Sequence, residues 1–231
     1  MTAPAEQASA SAGQTARPST WTGRLRVRAE RTLPYEKLMP ENQPSYVASW
    51  IYVFGVATLV SLALIVVSGL VLTFRGPAWY HTSSVGLFVN STHYWSVQLF
   101  FIFMVVHLWG KFWMAAWRGR RALTWVTGAL AFMLSIGAGL TGYVLQSNFD
   151  SQWISFEAKD GLNAVGVGAW FNVANLGQML LAHACLIPAG MGVIVLGHVL
   201  LVRIRGVVPP IDAAIHDPAA VAAVTTAGGE H

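Results

Sequence analysis

The chain has 231 residues, 55% of them hydrophobic and only 10% charged, with a formal net charge of +4 and a mean hydropathy of +0.52. So few charges over this length exclude a string of soluble domains and point to one integral-membrane bundle. A single cysteine, Cys185, excludes an intramolecular disulfide and a multi-cysteine metal site. No phosphate loop, zinc motif or nucleophile–base pair suggests soluble enzyme chemistry.

Residues 1–18 are rich in Ala, Ser, Thr, Gln and Pro and lack an apolar signal core, so they read as a disordered tail. Residues 19–46 set Trp21, Leu25, Val27 and Leu33 among arginines, which predicts an amphipathic segment on the membrane surface. Four runs without Asp, Glu, Lys or Arg follow, at 42–74, 76–110, 122–149 and 161–202. Each can hold a span of about 20 residues. They predict helix A near 47–74, helix B near 91–116, helix C near 122–145 and helix D near 177–203, within an all-α, four-helix membrane domain over 47–205.

The C–D connection, 146–176, is too long for a simple turn. Trp153, Ile154, Phe156, Leu162, Val165 and Trp170 make it apolar. It reads as a lid or docking surface, or as an interfacial loop with aromatic anchors. Cys185, in apolar helix D, reads as core packing. Residues 206–231 are expected to form a flexible tail, in which His216 and His231 have no evident partners.

Four histidines lie inside the apolar segments as two pairs: His93 and His107, 14 positions apart, and His183 and His198, 15 apart. At ~1.5 Å per residue each pair is separated by roughly 21 to 23 Å along its helix. At ~100° per residue, 14 steps fall about 40° short of whole turns and 15 overshoot by about 60°. Both members of a pair can therefore face one neighbour. Ionisable groups in a bilayer are costly and mark functional sites, and neutral imidazole is a good axial ligand for haem iron. Two b-type haems, stacked across the membrane, are the reading this supports. The competing reading is four satisfied core histidines in a haem-free scaffold or transporter.

A second regularity matches the first. Gly55 and Gly69 in helix A are 14 apart, as are Gly128 and Gly142 in helix C. Glycine lets a flat macrocycle edge approach the backbone, although small residues also serve ordinary helix packing in membranes. The spacing suggests that A and C pad the haems that B and D ligate.

Lys and Arg set the expected orientation. Twelve flank one side: Arg17, Arg24, Arg26, Arg28, Arg31 and Lys37 before A, Lys111, Arg118, Arg120 and Arg121 between B and C, Arg203 and Arg205 after D. Only Arg75 and Lys159 fall on the other. The positive-inside rule then puts both termini in the cytosol and pairs His93 with His183 near the outer face, His107 with His198 near the inner. The charge carries no nucleic-acid signal.

These features resemble the N-terminal, haem-bearing half of cytochrome b from quinol–cytochrome c and quinol–plastocyanin oxidoreductases, the short cytochrome b6 form above all. The resemblance covers about residues 35–210 and includes Leu123-Thr124-Trp125-Val126-Thr127-Gly128, Thr141-Gly142-Tyr143-Val144-Leu145, Pro188 after His183, and Arg203 to Gly206. It implies that His93 and His183 carry an outer, low-potential haem and His107 and His198 an inner, high-potential one. It implies electron transfer between quinol or quinone and partner proteins: a separate C-terminal cytochrome b subunit, an iron–sulfur protein and a c-type cytochrome, in a bacterial cytoplasmic membrane. Enzyme activity would belong to the assembled complex, for which a dimer is one option. A cytochrome b from another quinone-linked complex is the alternative.

Several positions depart from the family pattern. Gln146-Ser147-Asn148-Phe149 replaces its Pro-Trp-Gly/Asp-Gln, and Asn90, Gly110 and Gln178 stand where flanking arginines are common. Lys111 and Arg75 are the substitutes that sequence offers for cations near haem propionates.

Overall fold

A computed structural model describes residues 20–32, 38, 44–210, 212–213, 218–219 and 222. The expected tail at 1–18, most of that at 206–231, and both His216 and His231 lie outside them. The chain divides at Asn42 into two units. In the first, helix α1 (Trp21–Thr32) has no buried residue. The Thr20 hydroxyl accepts from Gly23 N at its start, and the exposed Arg26–Glu30 pair at 2.7 Å contributes little to stability.

In the second unit the described residues are helical, without strands. Its elements are α2 (Val53–Arg75), α3 (Pro77–Thr82), α4 (Ser84–Trp113), α5 (Ala122–Leu145), α6 (Phe149–Ala164), α7 (Leu176–Leu181) and α8 (Ile187–Arg205). A π-turn, Ala182–Leu186, joins α7 to α8. Four stretches are long and apolar enough to cross a membrane: Trp50–Arg75, Ser84–Trp113, Gly119–Leu145 and Leu176–Arg205. They correspond to A, B, C and D.

Helix B starts seven residues before its predicted position, at Ser84. The Ser83 hydroxyl accepts from Gly86 N at 3.3 Å and caps the helix. A ends at Gly76, whose φ of 77° lies in the left-handed region, and Pro77 opens α3 at the position where its missing N–H costs nothing.

The spans pair A with B and C with D, and the two pairs touch each other only sparsely. Small buried hydroxyl residues, Thr58, Ser61, Ser68, Ser96, Ser135 and Thr141, line the packed faces. The hydroxyls of Thr58, Ser68, Ser135 and Thr141 are satisfied within their own helices, as when Thr58 donates to Phe54 O at 2.7 Å and Ser135 to Phe132 O at 2.6 Å. Large apolar side chains face outward instead: Leu196 is 73% exposed and Val67 63%. Backbone groups satisfied inside helices and an apolar exterior fit a hydrocarbon surround. The chain is an integral membrane protein. Cys185 corrects an expectation: it lies in the π-turn and is exposed on this exterior rather than packed in the core.

The C–D connection is folded. Val144, Val173 and Met179 form a buried cluster packed by Leu145, Ala158, Leu162 and Phe171. Asn148 caps α6, its Oδ1 accepting from Ser151 N at 2.8 Å, and Asn175 caps α7 through Gln178 N at 3.0 Å. Trp153, Phe156 and Trp170 are exposed, as interfacial anchors are. Burial raises the Tyr80 phenol above its ordinary pKa, so Tyr80 stays protonated and donates to Leu145 O.

At the Lys/Arg-rich end the chain after α8 is tied to A, and the last residue of α8 to C. Tyr52 Oη donates to Val208 O at 2.7 Å, and the Arg205 guanidinium donates to Arg120 O at 2.6 Å.

Candidate functional site

Four imidazoles project between the helix pairs. His93 on α4 and His183 in the π-turn meet with ring centroids 6.2 Å apart and planes at 77°. His107 on α4 stands against Gly55 and His198 on α8 against Gly128, both toward the Lys/Arg-rich end. The structure thus brings His93 and His183 together, one of the two pairs that spacing and charge bias suggested.

The 15-residue gap in helix D is explained by the π-turn. A π-bulge holds one residue more than an α-turn, and most of this one lies between His183 and His198. The gap therefore covers the same arc as 14 residues of regular helix, and the expected 60° overshoot does not arise. Pro188 supplies a cause: it has no N–H to give Ala184 O, and its ring crowds that carbonyl, so the helix widens there.

Hydrogen-bond accounting fixes the tautomer of three rings. His93 Nδ1 lies 3.1 Å from Ile65 O and 3.0 Å from Ser68 Oγ. His183 Nδ1 lies 3.0 Å from Ala138 O and 3.2 Å from Thr141 Oγ1. For His198 the partners are Thr124 O at 2.9 Å and Thr127 Oγ1 at 3.1 Å. A carbonyl can only accept, so each Nδ1 carries the proton. The hydroxyl protons are already given to carbonyls of their own helices: Ser68 to Leu64 O, Thr141 to Gly137 O and Thr127 to Thr124 O. Each Nε2 is left with its lone pair, the form that binds a metal.

The four glycines stand directly against these rings. A Cβ at Gly142 would lie 2.5 Å from His183 Cε1, at Gly128 3.0 Å from His198 Cε1, and at Gly69 and Gly55 3.1 Å from the Cε1 atoms of His93 and His107. Beside the macrocycle padding that their spacing suggests, each glycine leaves room for an imidazole. The hydroxyls beside them were missed, although Ser68-Gly69, Thr127-Gly128 and Thr141-Gly142 repeat the same pairing in the sequence.

These features fit haem. Two imidazoles sharing one metal, at about 2 Å per metal–nitrogen bond, have centroids roughly 6 Å apart. His93 and His183 have that separation, and each Nδ1 is held from behind. Among the described residues no cluster of three or more His, Cys, Asp or Glu offers a conventional metal site.

Residues 98–226, more than half of the chain, match the family described as Cytochrome b(N-terminal)/b6/petB. The chain belongs to this cytochrome b family. It is 24% identical over 189 residues to the cytochrome b6 of Heliobacterium modesticaldum, covering 72% of this chain and 89% of that one. To the menaquinol:cytochrome c reductase cytochrome b subunit of Bacillus subtilis it is 24% identical over 193 residues, 74% of this chain and 86% of the relative. A cytochrome bc complex cytochrome b subunit from Chlorobaculum thiosulfatiphilum is 26% identical over 196 residues, but this chain spans only 46% of its length. A solved structure, "Hyperthermophilic respiratory Complex III", shares the fold with a TM-score of 0.64 at 21% identity, covering 81% of this chain and 54% of that one.

Within this cytochrome b three of the departures from family pattern, Gln178, Gly110 and Asn148, have local roles. Gln178, where arginine is common, serves as a staple: Oε1 accepts from Asn172 N at 2.6 Å and Nε2 donates to Trp170 O at 3.0 Å. Gly110 leaves room for Ile51, whose Cδ1 would be 2.6 Å from a Cβ there. Asn148, in the altered 146–149 segment, is the cap of α6. Of the two substitute cations, Lys111 Nζ sits 3.8 Å above the Tyr52 ring, and Arg75 stacks 5.0 Å over Trp79.

Proposed function

We propose that this cytochrome b subunit carries electrons across the membrane on two non-covalent b haems, one held by His93 and His183, the other by His107 and His198. The opposed His93 and His183 rings, 6.2 Å apart and each anchored at Nδ1, support this reading. Haem, when bound, supplies a one-electron couple. The protein's part is to present Nε2 lone pairs in a fixed direction, to seat each ring against a glycine, and to surround the site with apolar helix faces. The two sites, about 21 Å apart along α4, form two steps of a path from one membrane face to the other.

The charge-poor end, with His93 and His183, faces outward in this reading, and the termini are cytosolic in a bacterial cytoplasmic membrane. The names of the relatives support exchange with quinol or quinone and assembly with a C-terminal cytochrome b subunit, an iron–sulfur protein and a c-type cytochrome. With Asn148 engaged as a helix cap, quinol oxidation at this end depends on residues those partners supply. The pairing is tested by His93→Ala and His183→Ala: each removes the same haem and leaves the other spectroscopically intact. Loss of different haems in the two variants would reject it.

A further inference from the structure

The four imidazoles rest on the neighbouring helix at one common register, but their surroundings are not the same. At three of them the residue before the glycine bears a hydroxyl facing Nδ1: Ser68 at 3.0 Å from His93, Thr141 at 3.2 Å from His183 and Thr127 at 3.1 Å from His198. A carbonyl four residues before the glycine completes each fork. At the fourth, Phe54 precedes Gly55, and the backbone at Trp50–Tyr52, which would offer the carbonyl, is still a 3-10 turn. His107 Nδ1 is buried with no hydrogen-bond partner. Phe54 itself packs edge-on to Trp50 at 5.8 Å and against Phe103 at 6.1 Å.

An imidazole that gives its Nδ1 proton to an acceptor is fixed in rotation, and its other nitrogen becomes a stronger donor to a metal. A stronger donor favours the oxidised, more positively charged iron and lowers the reduction potential. We infer that Ser68 and Thr141 are positioning residues that, acting through two anchored ligands, hold the His93/His183 haem at the lower potential, while unanchored His107 leaves its haem at the higher. This rests on the reading that the four histidines ligate haem. Lys111, one turn beyond His107 on α4, acts in the same direction as a nearby cation, so the test changes the hydroxyls and leaves Lys111 in place.

The experiment is a redox titration of the full-length protein in its membrane, followed at each haem's reduced absorption band. Ser68→Ala and Thr141→Ala are expected to raise the lower potential and leave the higher one unmoved. Ser68→Thr and Thr141→Ser, which keep the hydroxyl, are expected to retain the wild-type value. Phe54→Thr is expected to lower the higher potential, against Phe54→Ala as a packing control. Two retained haems with both potentials unchanged in Ser68→Ala and Thr141→Ala would overturn the inference. Haem loss in Ser68→Ala with retention in Ser68→Thr supports it; loss in both reduces Ser68 to packing and overturns it. A wild-type protein that binds no haem fails the proposed function instead.

Discussion

Gly142 lies beneath the imidazole of His183, so close that a Cβ on the glycine would sit 2.5 Å from Cε1 of the ring. The contact joins the third span to the fourth and sets the direction of His183 Nε2. It is the tightest of four equivalent contacts, and it gives a graded expectation.

Gly142→Ala should displace His183 and remove the haem it shares with His93, halving the haem content. Gly69→Ala and Gly55→Ala, with 3.1 Å contacts, should cause smaller losses, each from its own pair. Gly137→Ala, on the same helix as Gly142 but with nothing within 4 Å of its Cβ, should retain both haems. Haem-to-protein ratios of the purified variants check this; equal loss in Gly137→Ala and Gly142→Ala would refute the seating role.

The π-turn predicts an unusual tolerance. Deleting Cys185 leaves a gap of 14, which a regular α-helix spans with both histidines on one face. The deletion variant should keep both haems. Inserting one alanine after Cys185, a gap of 16, should lose one. If deletion abolishes haem at either site while insertion spares both, the account of the helix D register is wrong.

Gln178 holds the return of the C–D connection through Trp170 O and Asn172 N. Gln178→Leu leaves both backbone groups without that partner and should destabilise the protein by about 1–3 kcal/mol. Cleavage within 165–175 by limited proteolysis should rise, with the haem spectra unchanged. A haem band that moves without new cleavage would place Gln178 at the cofactor instead.

At the other end, Tyr52→Phe removes the hydrogen bond to Val208 O but keeps the ring under Lys111. The expected cost is about 1 kcal/mol, seen as faster amide exchange at Gly206, Val207 and Val208. Exchange that does not change would mean that other contacts hold this segment.

Much of this arrangement was legible in the sequence, and the reasons are physical. Span length, the 14-residue registers of histidine and glycine, and the bias of Lys and Arg each follow from helix geometry or from the cost of charge in lipid. What escaped depended on local backbone or on side chains whose role emerges only in contact. The capped early start of α4 at Ser83 hides behind polar Asn90, Ser91 and Thr92. The π-turn left a gap of 15 that reads equally well as an α-helix turned by 60°. Cys185 looked like core because apolar exteriors and cores have one composition in a membrane. Ser68, Thr127 and Thr141 look like ordinary membrane-helix residues until each is found behind an imidazole.

The most direct measurement is the haem count of the purified chain, by pyridine haemochrome, together with its reduced-minus-oxidised spectrum. The account predicts two b haems per chain, both reducible by quinol in the assembled membrane. A protein expressed with ample haem that binds none, or binds one that survives loss of His93 and of His107 alike, would contradict it.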